Sequence, residues 1–336
     1  MDPLNAFIVL ANFVLVPATA YGAQLALGAL GVTLIYGILR FSNFAHGDTM
    51  AFGAMVTILF TWLFQSWGWS LGPLPTALIA LPFGIIATSL LVLGTDRVVY
   101  KFYRKQKAAP VIYVIASLGV MFIMNGLVRF IIGPDDQRFA DGERFIISVR
   151  TFKAMTGLEE GLAIRTSQGL TVVIAIIAVA LLFWFLNNTR TGKSMRAFSD
   201  NEDLALLSGI NPERVVMYTW LIVAALITVA GVLYGLDKSF KPFTYFQLLL
   251  PIFAAAIVGG LGNPLGAIVG GFVIAFSEVG VTYAFKKVLG YLLPESLAPD
   301  SLVQLLSTDY KFAVSFVILV IVLLIRPTGL FRGKSV

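Results

Sequence analysis

Residues 169–187 read GLTVVIAIIAVALLFWFLN, and the segment that follows, 189–212, reads TRTGKSMRAFSDNEDLALLSGINP. The first is an unbroken apolar run of about 20 residues, the length that carries an α-helix across a hydrocarbon core. Strands of an outer-membrane barrel would alternate apolar and polar residues instead. Lipid offers the backbone no hydrogen-bond partner, so a segment of this kind must pair its amides internally, as a helix does. Working outward, similar stretches run at roughly 4–17, 19–39, 46–66, 74–95, 111–132, 214–236, 248–261, 264–284 and 311–325. The 336 residues are 58% hydrophobic and 12% charged, more apolar surface than a soluble domain can hide. Mean hydropathy is +0.88. The fold class expected is all-α: a polytopic membrane protein with nine or ten transmembrane helices, one broken by Gly-Asn-Pro.

Two places leave the count open. The stretch 4–17 is short and ends at Pro17, which suits a span, a re-entrant piece or a surface helix. The pair 248–261 and 264–284 is split by Gly262-Asn263-Pro264, a break that at membrane depth would need protein or a water-filled cavity beside it. Positive charge beside the spans sets orientation. Arg97, Lys101, Arg104, Lys105 and Lys107 fall on one side with Arg190, Lys193, Arg196, Arg214 and the tail residues Arg326, Arg332 and Lys334. That side is expected to be cytoplasmic. The loops 133–168 and 286–310 then lie outside, the former with Asp135, Asp136, Asp141, Glu143, Glu159 and Glu160. No basic n-region opens the chain, so no removable signal peptide is expected.

The net charge of +6 is spread beside spans rather than gathered in one patch, which argues against nucleic acid. The absence of cysteine excludes disulfides, thiolate metal sites and cysteine nucleophiles. No HExxH, GxSxG or Walker loop is present, so no catalytic or metal-binding residue is assigned, and the chain has no ATPase site of its own.

Four polar residues are candidates for a transport pathway. Asn43 and His46 lie in NFAHGD, 43–48, between two spans; His46 is the chain's one histidine. It reads either as a hydrogen-bond partner for a helix end, with Asn43 and Asp48 capping the next helix, or as a gate at the inner mouth. Asn263 sits in the Gly-Asn-Pro break. Glu278, in GGFVIAFSEVGV, is an intramembrane carboxylate of the kind that faces a cavity or a partner. The segment 189–212 is read as a docking loop. In Asp203-Leu204-Ala205-Leu206-Leu207-Ser208-Gly209 a small alanine permits close approach and a glycine a sharp turn.

That series resembles the E-A-A-x-x-x-G signature of ABC importer permeases, with Asp203 for Glu and Leu204 for the first Ala. NFAHGD at 43–48, AGVLYG at 230–235, VGGLGNPLGAIVGG at 258–271 and RPTGLF at 326–331 together resemble the LivH/LivM-type permeases of branched-chain amino acid ABC importers, in matching order. The placement of NFAHG is closer to the LivH member. Asn263-Pro264-Leu265 stands where relatives often carry a Ser-Pro variant, and the 133–168 loop is long. The resemblance covers residues 19–336 as one permease domain and leaves 1–18 as an added hydrophobic segment. It implies a multi-pass protein of a bacterial or archaeal plasma membrane, C-terminus cytoplasmic. It implies Asp203, Ala205 and Gly209 as the coupling residues, and partners: a second LivM-like permease, two cytoplasmic ABC ATPase subunits and an extracellular or periplasmic solute-binding protein. Leucine, isoleucine or valine is the implied substrate, with urea, amides or other amino acids as alternatives. No cofactor is bound by this chain; ATP is used by the partners. An ion-coupled secondary transporter or a passive channel would also suit many spans.

Overall fold

The computed structural model describes residues 2–294, 299 and 301–331. Arg332 and Lys334 of the basic tail lie outside these residues. Nine helices among the described residues are long and apolar enough to cross a membrane. They are α1 (Pro3–Leu39), α2 (His46–Ser66), α3 (Ala77–Lys105), α4 (Pro110–Ile132), α6 (Thr166–Asn188), α9 (Pro212–Lys238), α10 (Pro242–Gly259), α11 (Pro264–Thr282) and α13 (Thr308–Ile325). Shorter helices lie between them: α5 (Val149–Thr156), α7 (Arg190–Asp200), α8 (Glu202–Leu207) and α12 (Lys286–Leu292). An antiparallel pair, β1 (Phe145–Ile147) with β2 (Ile164–Arg165), closes the loop before α6.

The first two apolar stretches are one helix. Pro17 lacks the amide that would bond the carbonyl four residues back, and its ring crowds the preceding turn. A π-helical turn over Ala11–Leu15 widens the helix just before it, so α1 continues instead of ending. Its 37 residues span about 55 Å, against a hydrocarbon core of about 30 Å. The N-terminal part therefore stands beyond the face opposite α7 and α8. It is tied there: Asp2 N donates to the Tyr291 carbonyl at 2.8 Å, Asn5 Oδ1 accepts from Glu160 N at 3.0 Å, and Asn12 Oδ1 accepts from Ala163 N at 3.0 Å. Among the described residues the count is nine, and residues 3–17 extend the first span rather than forming a tenth.

From Ala18 to Ile38 α1 is almost wholly buried, ringed by α6, α9, α10 and α11. Helices in lipid gain little from hydrophobic drive, so close backbone contact at small residues holds them together. A Cβ added at Gly271 of α11 would lie 2.7 Å from Ala26 N, and one at Gly270 would strike the Ala255 carbonyl.

The Gly262-Asn263-Pro264 break does not interrupt a helix at depth. It joins α10 and α11, two complete spans, through a turn near the α7–α8 face with Gly260 and Gly262 at positive φ. Asn263 Oδ1 caps α11 by accepting from Leu265 N at 3.1 Å and Gly266 N at 3.2 Å. The RPTGLF tail folds back to meet it, with Gly329 at positive φ. Leu330 N donates to the Val258 carbonyl at 2.8 Å and Phe331 N to that of Gly259 at 3.0 Å. Two motifs far apart in sequence thus satisfy one helix end.

Two outcomes test this packing. Gly271→Leu should abolish a monodisperse detergent-solubilised protein and Gly271→Ala should lower Tm, overpacking costing about 1–3 kcal/mol. Gly280→Ala, with open space around it, should leave Tm unchanged or higher in the same thermal-shift measurement. At α12, partial burial pushes the Glu160 carboxyl up, but hydrogen bonds from Lys287 Nζ at 2.9 Å and Tyr291 OH at 2.6 Å outweigh it and hold the group below its ordinary value. A lowered folded pKa contributes stability above the unfolded value and loses it as pH falls through the folded one. Hydrogen exchange in 286–292 should therefore accelerate on acidification below the usual glutamate range, and not between neutral and mildly acidic pH.

Candidate functional site

The irregular backbone at membrane depth lies at NFAHGD. Leu39 ends α1 and Arg40 turns the chain in the left-handed region, φ 59°. Residues 40–45 then climb into the bundle instead of running along its face. Phe44 N donates to Ser117 Oγ at 3.1 Å, two turns inside α4. His46 Nε2 lies 3.0 Å from the carbonyl of Gly28, which stands about 16 Å of helix above the end of α1. The first turn of α2 is therefore near mid-depth, and NFAHGD, expected between two spans, reaches into the bundle.

Such backbone persists only where protein meets it. Asn43 Oδ1 accepts from Ala45 N at 3.1 Å and from Tyr100 OH at 3.2 Å. The expected cap by Asp48 is not made; its carboxylate stands in the positive first turn of α2, and Oδ1 accepts from Asn125 Nδ2 at 2.6 Å. Asn43, His46 and Asp48 are all buried. Among the described residues His46 Nδ1 and Asp48 Oδ2 have no hydrogen-bond partner. A cavity of about 10 Å³ lies between Asn43, His46, Thr49, Thr95 and Tyr100, the size of about one water. Tyr100 stacks on Trp220 of α9, ring centroids 5.6 Å apart. Trp220 Nε1 donates to Asp96 Oδ1 at 2.9 Å, and Arg104 grips the same carboxylate at 2.8 and 2.9 Å. The depth segment is thus joined to α9 through Tyr100, by an aromatic stack and a neighbouring hydrogen bond.

Glu278 is buried and faces a neighbouring helix. Its Oε1 accepts from Ser315 Oγ of α13, while Oε2 has no hydrogen-bond partner among the described residues. Asn263 is a helix cap, as described above. The structure brings Asn43 and His46 together and leaves Asn263 and Glu278 as separate contacts.

At the opposite extreme of polarity lies the loop 189–212. Gly192 packs on the Phe185 carbonyl, Met195 and Phe198 are buried, and Arg40 Nη2 donates to the Ser199 carbonyl at 2.7 Å. Helix α7 therefore lies across the ends of α1 and α6. Asn201 Oδ1 caps α8 by accepting from Leu204 N at 3.0 Å, with Glu202 and Asp203 in its first turn. Ala205 is 3% exposed and turns inward; close approach here is to the protein itself. The outward surface is Leu204, Leu206 and Leu207, the last 84% exposed. None of these leucines is among the candidates drawn from the sequence, although three leucines in four positions of a polar loop are themselves a signal. Gly209, φ +79°, ends α8: its N–H meets the Leu206 carbonyl at 3.0 Å and Ile210 N that of Ala205 at 3.1 Å. Asn211 then caps α9 through Glu213 N and Arg214 N, and Glu213 pairs with Lys101 at 2.6 Å. Only four residues, Ser208 to Asn211, separate α8 from α9.

Residues 14–323 match the family described as branched-chain amino acid transport system / permease component. The chain is 30% identical over 321 residues to the high-affinity branched-chain amino acid transport system permease protein LivH of Escherichia coli, covering 94% of this chain and 93% of that one. It is 29% identical to the corresponding permease protein BraD of Pseudomonas aeruginosa, covering 96% of each. It is 28% identical to a probable LivH of Methanocaldococcus jannaschii, covering 95% and 92%.

Asn43→Ala leaves Ala45 N and Tyr100 OH unpaired in an apolar interior and should cost about 1–3 kcal/mol. Reversible unfolding of the purified protein in mixed micelles measures it; Asn263→Asp, which keeps the capping oxygen, should remain within about 0.5 kcal/mol of wild type.

Proposed function

The chain belongs to the permease-component family of branched-chain amino acid transport systems, and from that premise we propose that it is one transmembrane subunit of an ATP-driven importer for leucine, isoleucine or valine. It pairs with a second, homologous permease. A solute-binding protein delivers substrate to the face carrying 133–168, and two soluble ATPases dock on the face carrying α7 and α8, which is cytoplasmic. Charge supports that orientation: Arg97, Lys101, Arg104, Lys105, Lys107, Arg190, Lys193, Arg196, Arg214 and Arg326 lie on the α7–α8 side.

The observation that carries the reading is α8 itself. It presents Leu204 and Leu207 to water, keeps Ala205 inward, and is linked to α9 through the Gly209 turn. Exposed leucines on a short capped helix suit insertion into a groove of a partner. Asp203 supports the N-terminal end and Gly209 supplies the turn. ATPase closure moves α8; α9 carries the displacement to Trp220 and Tyr100, and through them to Asn43 and His46 at mid-depth. The result is a shift between two packings of the bundle. Glu278 and Asn263 act here by holding α13 and α11 in place.

In the reconstituted importer, Leu207→Asp changes a side chain that makes little contact with the rest of the chain. It should cut ATPase activity stimulated by the loaded binding protein about tenfold or more, with the fold unaltered. Gly209→Arg should do the same, with about 1–2 kcal/mol of added backbone strain. Stimulation equal to wild type in Leu207→Asp sinks the docking role of α8. A cysteine placed at Ser199 should react with impermeant reagent only from the ATPase side.

A further inference from the structure

On the face opposite α7 and α8, a cavity of about 450 Å³ opens between residues 138–144, the start of α6 and the end of α9. That volume suits a small organic ligand. Asp237 lines it, and its side chain is 1% exposed. Three groups approach this carboxylate, none closely. Ser167 Oγ is 3.3 Å from Oδ1, Arg165 Nη1 3.9 Å from Oδ1 and Lys238 Nζ 3.4 Å from Oδ2. Charge-assisted bonds normally close to about 2.7–2.9 Å. Among the described residues Oδ2 accepts no hydrogen bond. A buried carboxylate so loosely held is costly unless a further donor completes it.

The rest of the lining has a complementary character. Asp141 is already engaged by Gln65 and Thr76 at 2.5–3.0 Å, so it is not available to a ligand. Arg138, Arg144 and Arg165 supply guanidinium groups, which bind carboxylates in a planar fork. Phe139 and Leu236 add apolar surface. An ammonium group for Asp237, a carboxylate for the arginines and an aliphatic side chain for Phe139 and Leu236 define one chemical class.

We propose that this cavity is a binding site for a free aliphatic α-amino acid, with its ammonium group on Asp237 and its carboxylate on the surrounding arginines. The site rests on the import function above and would be where substrate is first held by the permease.

The test uses the complete importer in nanodiscs without its binding protein, and radiolabelled leucine as probe. Leucine should bind saturably. N-acetyl-leucine, which lacks the ammonium, and leucinamide, which lacks the carboxylate, should each compete about tenfold less well. Asp237→Asn should weaken leucine binding by a similar factor; because that variant can fail to fold, the analogue series on the wild-type complex stands independently. Absence of saturable binding, equal competition by the blocked analogues, or unaltered binding in a folded Asp237→Asn complex overturns the site. Uptake after the binding protein is supplied separates the two readings. Uptake without a leucine site removes this inference alone, whereas a complex that binds leucine at Asp237 and transports none removes the import function.

Discussion

An amide or carbonyl left unpaired in hydrocarbon costs several kcal/mol, and six residues of this chain, 40–45, run unwound into the bundle. The surroundings of that segment follow from the need to meet its polar groups. Asn43 and Ser117 answer its amides, Tyr100 answers Asn43, and the aromatic rings of Phe41, Tyr100 and Trp220 exclude lipid around them. Asp96 and Arg104, a partly buried pair whose charges offset each other, hold Trp220 in register. The unwound segment therefore fixes the positions of α3, α4 and α9 around it.

The other half of the bundle is held by shape. Helix α1 passes through the centre because α11 can lie directly against it at Gly271 and Ala26, and because Gly28 leaves room for Ile252 of α10. Small residues do in lipid what large apolar ones do in water. The C-terminal tail completes this half by bonding the last carbonyls of α10, so the RPTGLF segment belongs to the packing rather than to a loose end.

These two halves meet at α9, which is the element best placed to carry motion. One end of it is joined to the exposed α8 and the other borders the cavity at Asp237. Between them Trp220 touches the depth segment. In the proposed transport cycle, a rigid helix with a surface handle, an interior contact and a cavity-lining end would link the two faces of the bundle by biasing two packings.

Much of this was legible in the sequence. Hydropathy alone determined the fold class and the approximate spans, though not whether they number nine or ten, because a helix in lipid must be long, apolar and internally paired whatever it packs against. Charge beside the spans indicated their alternation, and the polar stretch at 189–212 marked the surface helix. What only the tertiary structure decided was depth and facing. The sequence placed the break at Gly262-Asn263-Pro264, where proline and glycine are the usual breakers, yet that turn lies at the end of two whole spans. The interior break is NFAHGD, which looks like an ordinary connection until His46 is seen beside Gly28. Pro17 suggested an end that the π-helical turn removes, and Ala205 suggested an outward contact that packing turns inward. In each case local composition reports what a segment tolerates, while its height and orientation depend on which distant residue pairs with it, and that information resides in the contacts.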